Sequence, residues 1–303
     1  PLQQQQQQQI APGIPSTTAA TPSSASNSAA LKKDVDDLAA QMYNTGFVNS
    51  YTSTTTTNYS LTSGSTGAAA PYVPSQKVLL DAQQSQGLEI LGTFARRNGQ
   101  IQMEMSFSNK SGIPIGDFAI QFNKNTFGLM PGSSLNVGTL APMGYGDVIL
   151  PLTLGGPSMP MQPLTNIQIA IKSTAGVFYF QTQYSLHILL DETGQCDQGT
   201  FLRMWKTVPE NMQSSHTAHN LRFASMEDMR NKLNMNSVFT VAQRSVGNAT
   251  HFYTSSKMFD GTLFYSEIKV ANNFQAAIIV TKSSNTQLIP LYQKAIEDIC
   301  TAF

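Results

Sequence analysis

A chain of 303 residues carrying 18 Lys+Arg against 18 Asp+Glu is electrically neutral, which removes the electrostatic case for nucleic acid or for direct attachment to an anionic membrane. Its length suggests two domains. Two cysteines, Cys196 and Cys300, supply no disulfide framework, and the longest apolar run, AAIIV at 276–280, is far too short to cross a bilayer.

The chain begins with proline and reads as a piece of something longer, in a reducing, cytosolic setting. Three Asn-x-Ser/Thr triplets, at Asn58, Asn109 and Asn248, point instead toward secretion.

Residues 1–71 open with an unbroken run from Gln3 to Gln9 and continue in Ser, Thr, Ala and Pro. Such composition cannot bury enough apolar surface to offset chain entropy, so a disordered linker is expected. Within it Leu31, Val35, Leu38 and Met42 recur at helical spacing. That island reads either as a short partner-binding helix or as transient structure without a role.

Residues 72–192 change period. IQMEMSFSN (101–109), DFAIQFN (117–123) and NIQIAIK (166–172) alternate apolar and polar, the signature of half-buried strands. Turns rich in Gly, Pro and Asn separate them (RNGQ, SGIPIG, MPGSS, LGGPSMP), which predicts an antiparallel β-sandwich.

Residues 193–303 read as an α+β unit, a sheet with helices packed on one face. FLRMWKTVPE (201–210) holds Trp205, the only tryptophan, followed by Lys206. The lysine and the nearby proline suggest a strand end near solvent. Trp205 is then either a core residue, the ordinary fate of a large aromatic, or a binding anchor. SMEDMRNKLNM (225–235) predicts a helix, N-capped by Ser225, with Met226, Met229 and Leu233 on one face. Four strand-like runs follow: VFTVAQRS, HFYTSSKM, GTLFYSEIKV and AAIIVTKS. LIPLYQKAIEDICTAF closes the chain as a helix striped by Leu288, Leu291, Ala295 and Ile299.

Chemistry is sparse. His216 and His219 form an HxxH pair, but zinc needs three or four ligands, and no acid or cysteine cluster lies nearby in sequence; solvated loop histidines are expected, and no metal. Cys196 and Cys300 have no base beside them. The chain has no GxSxG, P-loop or GxGxxG, so no cofactor is expected. The acid pair Asp191–Glu192 looks like a domain junction, and Glu227–Asp228 a helix start. The reading is a binding protein, not an enzyme.

Surface aromatics carry more. In NIQIAIK the three isoleucines point one way, so Gln168, Ala170 and Lys172 share the outer face. If this strand pairs with GVFYFQ as a hairpin, Tyr179 lies among them. A tyrosine over a shallow, small-residue, weakly basic surface is a candidate peptide anchor. It is equally a cross-strand pair that covers the sheet.

GLEILGTFARRNGQIQMEMSFSNKS, then DFAIQFNKNTFGLMP, VFYF and FLRMWKTVP, resembles the C-terminal appendage of β-adaptin, the large β subunit of clathrin adaptor complexes. The similarity runs from about residue 72 to 303. It implies an immunoglobulin-like sandwich followed by a platform of sheet and helices, with residues 1–71 as hinge. It also implies a platform groove for a helical peptide, in which Trp205 is an anchor and not a core residue, Lys206, Arg244 and Tyr253 take part and Glu267 meets a ligand arginine. A second family glutamate falls on Gln213; Glu210 stands close enough in sequence to substitute. The family's sandwich site matches Tyr179 with Gln168, Ala170 and Lys172. The Leu-rich, acid-ended clathrin motif usual in the hinge has no copy in residues 1–70.

The implied partners are clathrin, endocytic accessory and cargo-adaptor proteins through short motifs, and other adaptor subunits through a trunk preceding this chain. The implied location is cytoplasmic and peripheral on coated membranes of the Golgi, endosome or plasma membrane, with the membrane reached only through the coat. Two rivals are a secreted β-sandwich binding protein, favoured by the sequons, and a hydrolase using His216 or His219.

Overall fold

A computed structural model describes residues 70–302. The helical island Leu31–Met42 and nearly all of the expected linker 1–71 lie outside the described residues, which belong to one compact unit.

The alternating segments become two antiparallel sheets. β1 (Lys77–Leu80), β2 (Leu88–Arg97), β3 (Gln100–Asn109), β5 (Leu129–Pro131) and β6 (Tyr145–Leu154) form one, in the order β1-β2-β3-β6-β5. β4 (Ala119–Phe122), β7 (Asn166–Ser173) and β8 (Gly176–Gln183) form the other, in the order β4-β7-β8. β2 and β3 meet through Asn98 and Gly99, both left-handed at φ 52° and 77°, the geometry for which a tight hairpin selects Asn-Gly. Met103, Met105 and Phe107 of one sheet and Ile167, Ile169 and Ile171 of the other are fully buried between them. Two aromatic contacts tie the layers: Phe107 to Phe118 at 5.3 Å and Phe94 to Tyr184 at 5.6 Å between centroids.

The second half is built on a five-stranded antiparallel sheet. β9 (Gln213–His219), β10 (Phe239–Val246), β11 (Ala249–Lys257), β12 (Leu263–Ala271) and β13 (Ala276–Lys282) lie in the order β10-β11-β12-β13-β9. On one face lies α3 (Ile289–Thr301): Tyr292 stacks on Phe264 at 4.2 Å, and the Gln293 amide donates to the carbonyls of Ser214 and Ile279. α2 (Met226–Met235) packs on α3 and beside β10, burying Met229 and Leu233, with Ser225 accepting the Asp228 N–H as its N-cap.

Two segments differ from the sequence reading. FLRMWKTVPE is not a strand end: Gln198–Thr207 is a helix, α1, capped by Asp197, whose carboxylate accepts the Thr200 N–H. Phe201 and Trp205, four residues apart, form its buried stripe against the face of the sheet that α3 leaves open. SSHTAH is not a loop but part of edge strand β9, paired residue by residue with β13.

The halves join tightly around Asp191–Glu192. Leu190 bridges Met258, and the Asp191 N–H donates to the Lys257 carbonyl at 2.7 Å. The Arg96 guanidinium forks onto both Glu192 oxygens at 2.7 and 2.6 Å. Gly194 runs so close to β11 that a Cβ there would lie 2.6 Å from the Lys257 nitrogen. His187, in the 3-10 turn Leu186–Leu189, is buried in this junction with its ring 5.0 Å from Tyr72.

Candidate functional site

Two surfaces gather the residues singled out in the sequence. On the sandwich, β7 and β8 form a hairpin that sets Tyr179 directly opposite Ala170, flanked by the pairs Gln168–Gln181 and Lys172–Val177. β4 extends the floor by pairing Gln121 with Ala170. The result is an open cleft of about 700 Å³. Ala170 is too small to shelter a phenol ring, and Tyr179 is 78% exposed. A tyrosine that merely covered the sheet would be shielded by it; this one stands free over a floor of small and polar groups.

On the platform, the predicted residues meet on the face carrying α1. Tyr253 and Glu267 are register partners on β11 and β12, and the Tyr253 hydroxyl donates to Glu267 Oε1 at 3.0 Å. The Arg244 guanidinium lies 5.7 Å from the centre of the Tyr253 ring. Phe201 joins the clusters, edge-on to Tyr253 at 5.9 Å and stacked on Trp205 at 5.5 Å. Gln213 starts β9 opposite Lys282, and Lys206 is exposed on the last turn of α1. Glu210 lies in the exposed 3-10 turn between α1 and β9.

Burial changes how Trp205 is read. It is 5% exposed. Besides the stacked Phe201, the Lys282 ammonium sits 5.1 Å from its ring and donates to the carbonyls of Trp205 and Val208. Sequence could not reveal Lys282 as its cover, because the two lie 77 positions apart. The indole floors the site rather than offering an open face.

The electrostatics centre on Glu267, itself 5% exposed. Burial alone would raise its carboxyl. The hydrogen bond from His251 Nδ1 at 2.9 Å, the charge of Lys269 at 3.3 Å and the Tyr253 hydroxyl outweigh that and hold it below the usual carboxylate range. The Tyr253 phenol is pushed up, first by burial and then by the Glu267 charge. Burial pulls the Lys282 ammonium down, against the nearby charge of Glu210. His251, Lys269 and Lys282 escaped the sequence reading. For the first two a signal existed: HFY and EIK place His251 beside Tyr253 and Lys269 beside Glu267 on one strand face.

The remaining candidates stay apart from both surfaces. His216 Nε2 lies 3.2 Å from Glu297 on α3, while His219 is exposed at the end of β9. Among the described residues no three His, Cys, Asp or Glu side chains gather as a metal site. Burial raises both thiols, Cys196 in part and Cys300 completely enclosed, which disfavours the reactive thiolate. Asn109, one of the three sequons, is 1% exposed, and its amide donates to the carbonyls of Ile113, Leu140 and Ala141. A glycan has no room there.

A sandwich joined to a platform, each with a candidate surface, is the architecture of an adaptor appendage. Residues 78–181 match the family model for the adaptin C-terminal domain, and residues 191–300 match that for the beta2-adaptin appendage, C-terminal sub-domain. The chain belongs to the β-adaptin appendage family. It is 38% identical over 213 residues to the human AP-1 complex subunit beta-1, and equally to the rat protein of that name, covering 70% of this chain and 22% of each relative. The AP-1 complex subunit beta of Dictyostelium discoideum is 26% identical over 219 residues, covering 71% of this chain and 23% of that one. The chain thus spans about a fifth of the length of these relatives.

Proposed function

We propose that residues 72–192 and 193–303 are the two subdomains of a clathrin-adaptor β-subunit appendage, a non-enzymatic hub that recruits clathrin and accessory or cargo-adaptor proteins through short peptides. Residues 1–71 tether it to a trunk through which it meets the other subunits. Cytoplasmic attachment to coated membranes is then indirect; no helix among the described residues is long and apolar enough to cross a membrane.

The observation that carries this reading is Tyr179, exposed over the cleft floored by Ala170 with Gln168 and Lys172 at its margins. A rigid aromatic with a hydroxyl tip, standing beside a depression, is the side-chain type on which binding energy concentrates. On the platform, Arg244, Lys206 and Gln213 form the rim of a second peptide site, with Trp205, Tyr253 and Glu267 beneath them. Each peptide binds weakly, because ordering a flexible segment consumes contact energy, and many appendages on one coat convert weak contacts into avidity.

The test is Tyr179→Ala. A side chain this exposed contributes little to folding, so the melt should stay within about 0.5 kcal/mol of the parent. Pull-down of clathrin and of accessory peptides should fall, by about 2 kcal/mol of binding free energy for an anchor of this kind. Unchanged capture by a folded variant would remove Tyr179 from the site.

A further inference from the structure

We propose that Lys269 is a built-in competitor for the ligand's cation at the platform, and so sets how strongly an arginine-bearing peptide binds. The inference rests on the platform reading above and concerns the partner chemistry of that same site.

The argument starts from the accounting of one carboxylate. Glu267 Oε1 is taken by two donors, His251 Nδ1 at 2.9 Å and the Tyr253 hydroxyl at 3.0 Å. His251 is 9% exposed and Tyr253 3%, so both partners are fixed in the sheet face. Oε2 faces Lys269 Nζ at 3.3 Å. The Lys269 side chain is 26% exposed, against 11% for that of His251, and is a flexible four-carbon stem rather than a packed ring. Lys269 sits two positions along β12 from Glu267, on the same strand face. The approach from solvent to Oε2 is therefore the place Lys269 already fills.

An incoming guanidinium must displace that ammonium before it can pair with Glu267. The wild-type chain exchanges one ion pair for another, and the gain from a ligand arginine is small. The other acid near this face, Glu210, lies in the turn after α1 and is already engaged by the charge of Lys282. Arg244, beside Tyr253, adds positive charge, and its buried Nε has no hydrogen-bond partner among the described residues. Gln213, opposite Lys282 at the start of β9, brings no negative charge. The ring of His251 is held on the other oxygen, Oε1, and offers the ligand nothing.

The experiment uses the whole chain and three synthetic amphipathic helical peptides. One carries a single arginine on the apolar face's edge, one replaces it with norleucine, and one moves it to the opposite face. Calorimetry is run on the wild type, Lys269→Met and Lys269→Arg. The proposal expects Lys269→Met to bind the first peptide about three- to fivefold tighter, as for release of one partly exposed ion pair, with the norleucine peptide unchanged. Lys269→Arg, which refills Oε2, should behave like the wild type. An equal gain for the moved arginine would reduce Lys269 to a diffuse positive field and overturn the proposal. So would no gain in Lys269→Met, or a gain in Lys269→Arg. Absence of binding by all three folded proteins to every peptide is a different failure: it removes the platform reading, and this one with it.

Discussion

The buried junction histidine makes a prediction whose size follows from its surroundings. His187 is 2% exposed, and among the described residues neither ring nitrogen has a partner in full hydrogen-bond geometry. Burial pushes its pKa down to about 4 from the ordinary 6.5, outweighing the opposing contact with the Tyr72 backbone, and the Arg96 charge adds to the fall. The folded chain therefore holds His187 neutral where the unfolded chain takes up a proton. The stability that follows is complete above pH 6.5 and is lost as pH falls from there through 4. At about 1.36 kcal/mol per unit, the loss reaches about 2 kcal/mol by pH 5 and about 3 kcal/mol near pH 4. Carboxylates titrate in the same window, so the decisive quantity is a difference. Urea melts of the wild type and His187→Gln, taken in half-unit steps from pH 7.5 to 4, should diverge in slope below 6.5, with the variant flatter. Parallel curves would show that His187 gains a partner or water in the folded state, and the reasoning from its enclosure would be wrong.

Trp205→Ala should lower folding stability by roughly 3–5 kcal/mol, since it empties a space between Phe201 and Lys282; a denaturant melt within 1 kcal/mol of the parent would return the indole to the surface. Gly194→Ala forces a Cβ to within 2.6 Å of the Lys257 backbone nitrogen and should cost about 1–3 kcal/mol, read as a lower thermal midpoint. A chain beginning at Ala70 keeps Tyr72, whose N–H donates to Asn236, and should melt with the full chain; a large loss would show that residues 1–69 contribute to the fold.

The parts legible in sequence were those whose partners repeat along the chain. The isoleucines of NIQIAIK and the phenylalanines of GVFYFQ alternate, so the opposite faces of both strands followed from period, and Tyr179 joined Gln168, Ala170 and Lys172 once the two strands paired as a hairpin. Ser225 capping α2 was equally local. β9 was missed because QSSHTAH has almost no apolar residue: it is a strand through its backbone bonds to β13 and the Gln293 amide, 79 residues away, on the Ser214 carbonyl. α1 carried readable marks in Asp197, in the spacing of Phe201 and Trp205, and in Pro209 beyond its end. Lys206 beside the tryptophan drew the reading toward a strand near solvent instead. The Glu267 cluster depends on the register of β11 with β12, and a bulge between Thr240 and Ala242 helps set where β10 delivers Arg244.

If the proposed function holds, the two surfaces differ in what a ligand must move. At the sandwich, Tyr179 is already free and the cleft open, so a peptide has only solvent to displace and the backbone need not shift. At the platform, Lys282 lies against the Trp205 ring and Lys269 faces Glu267, so on this reading a peptide binds by exchange with side chains already in place. Exchange makes affinity depend on the difference between two sets of contacts rather than on one set, and such differences are where specificity arises. A preformed cleft tolerates many peptides carrying one suitable side chain. A self-occupied groove rewards only a ligand that replaces both the ammonium on the indole and the ammonium on the carboxylate. On the proposed reading, a protein with one surface of each kind would hold many partners loosely while admitting few to the second site.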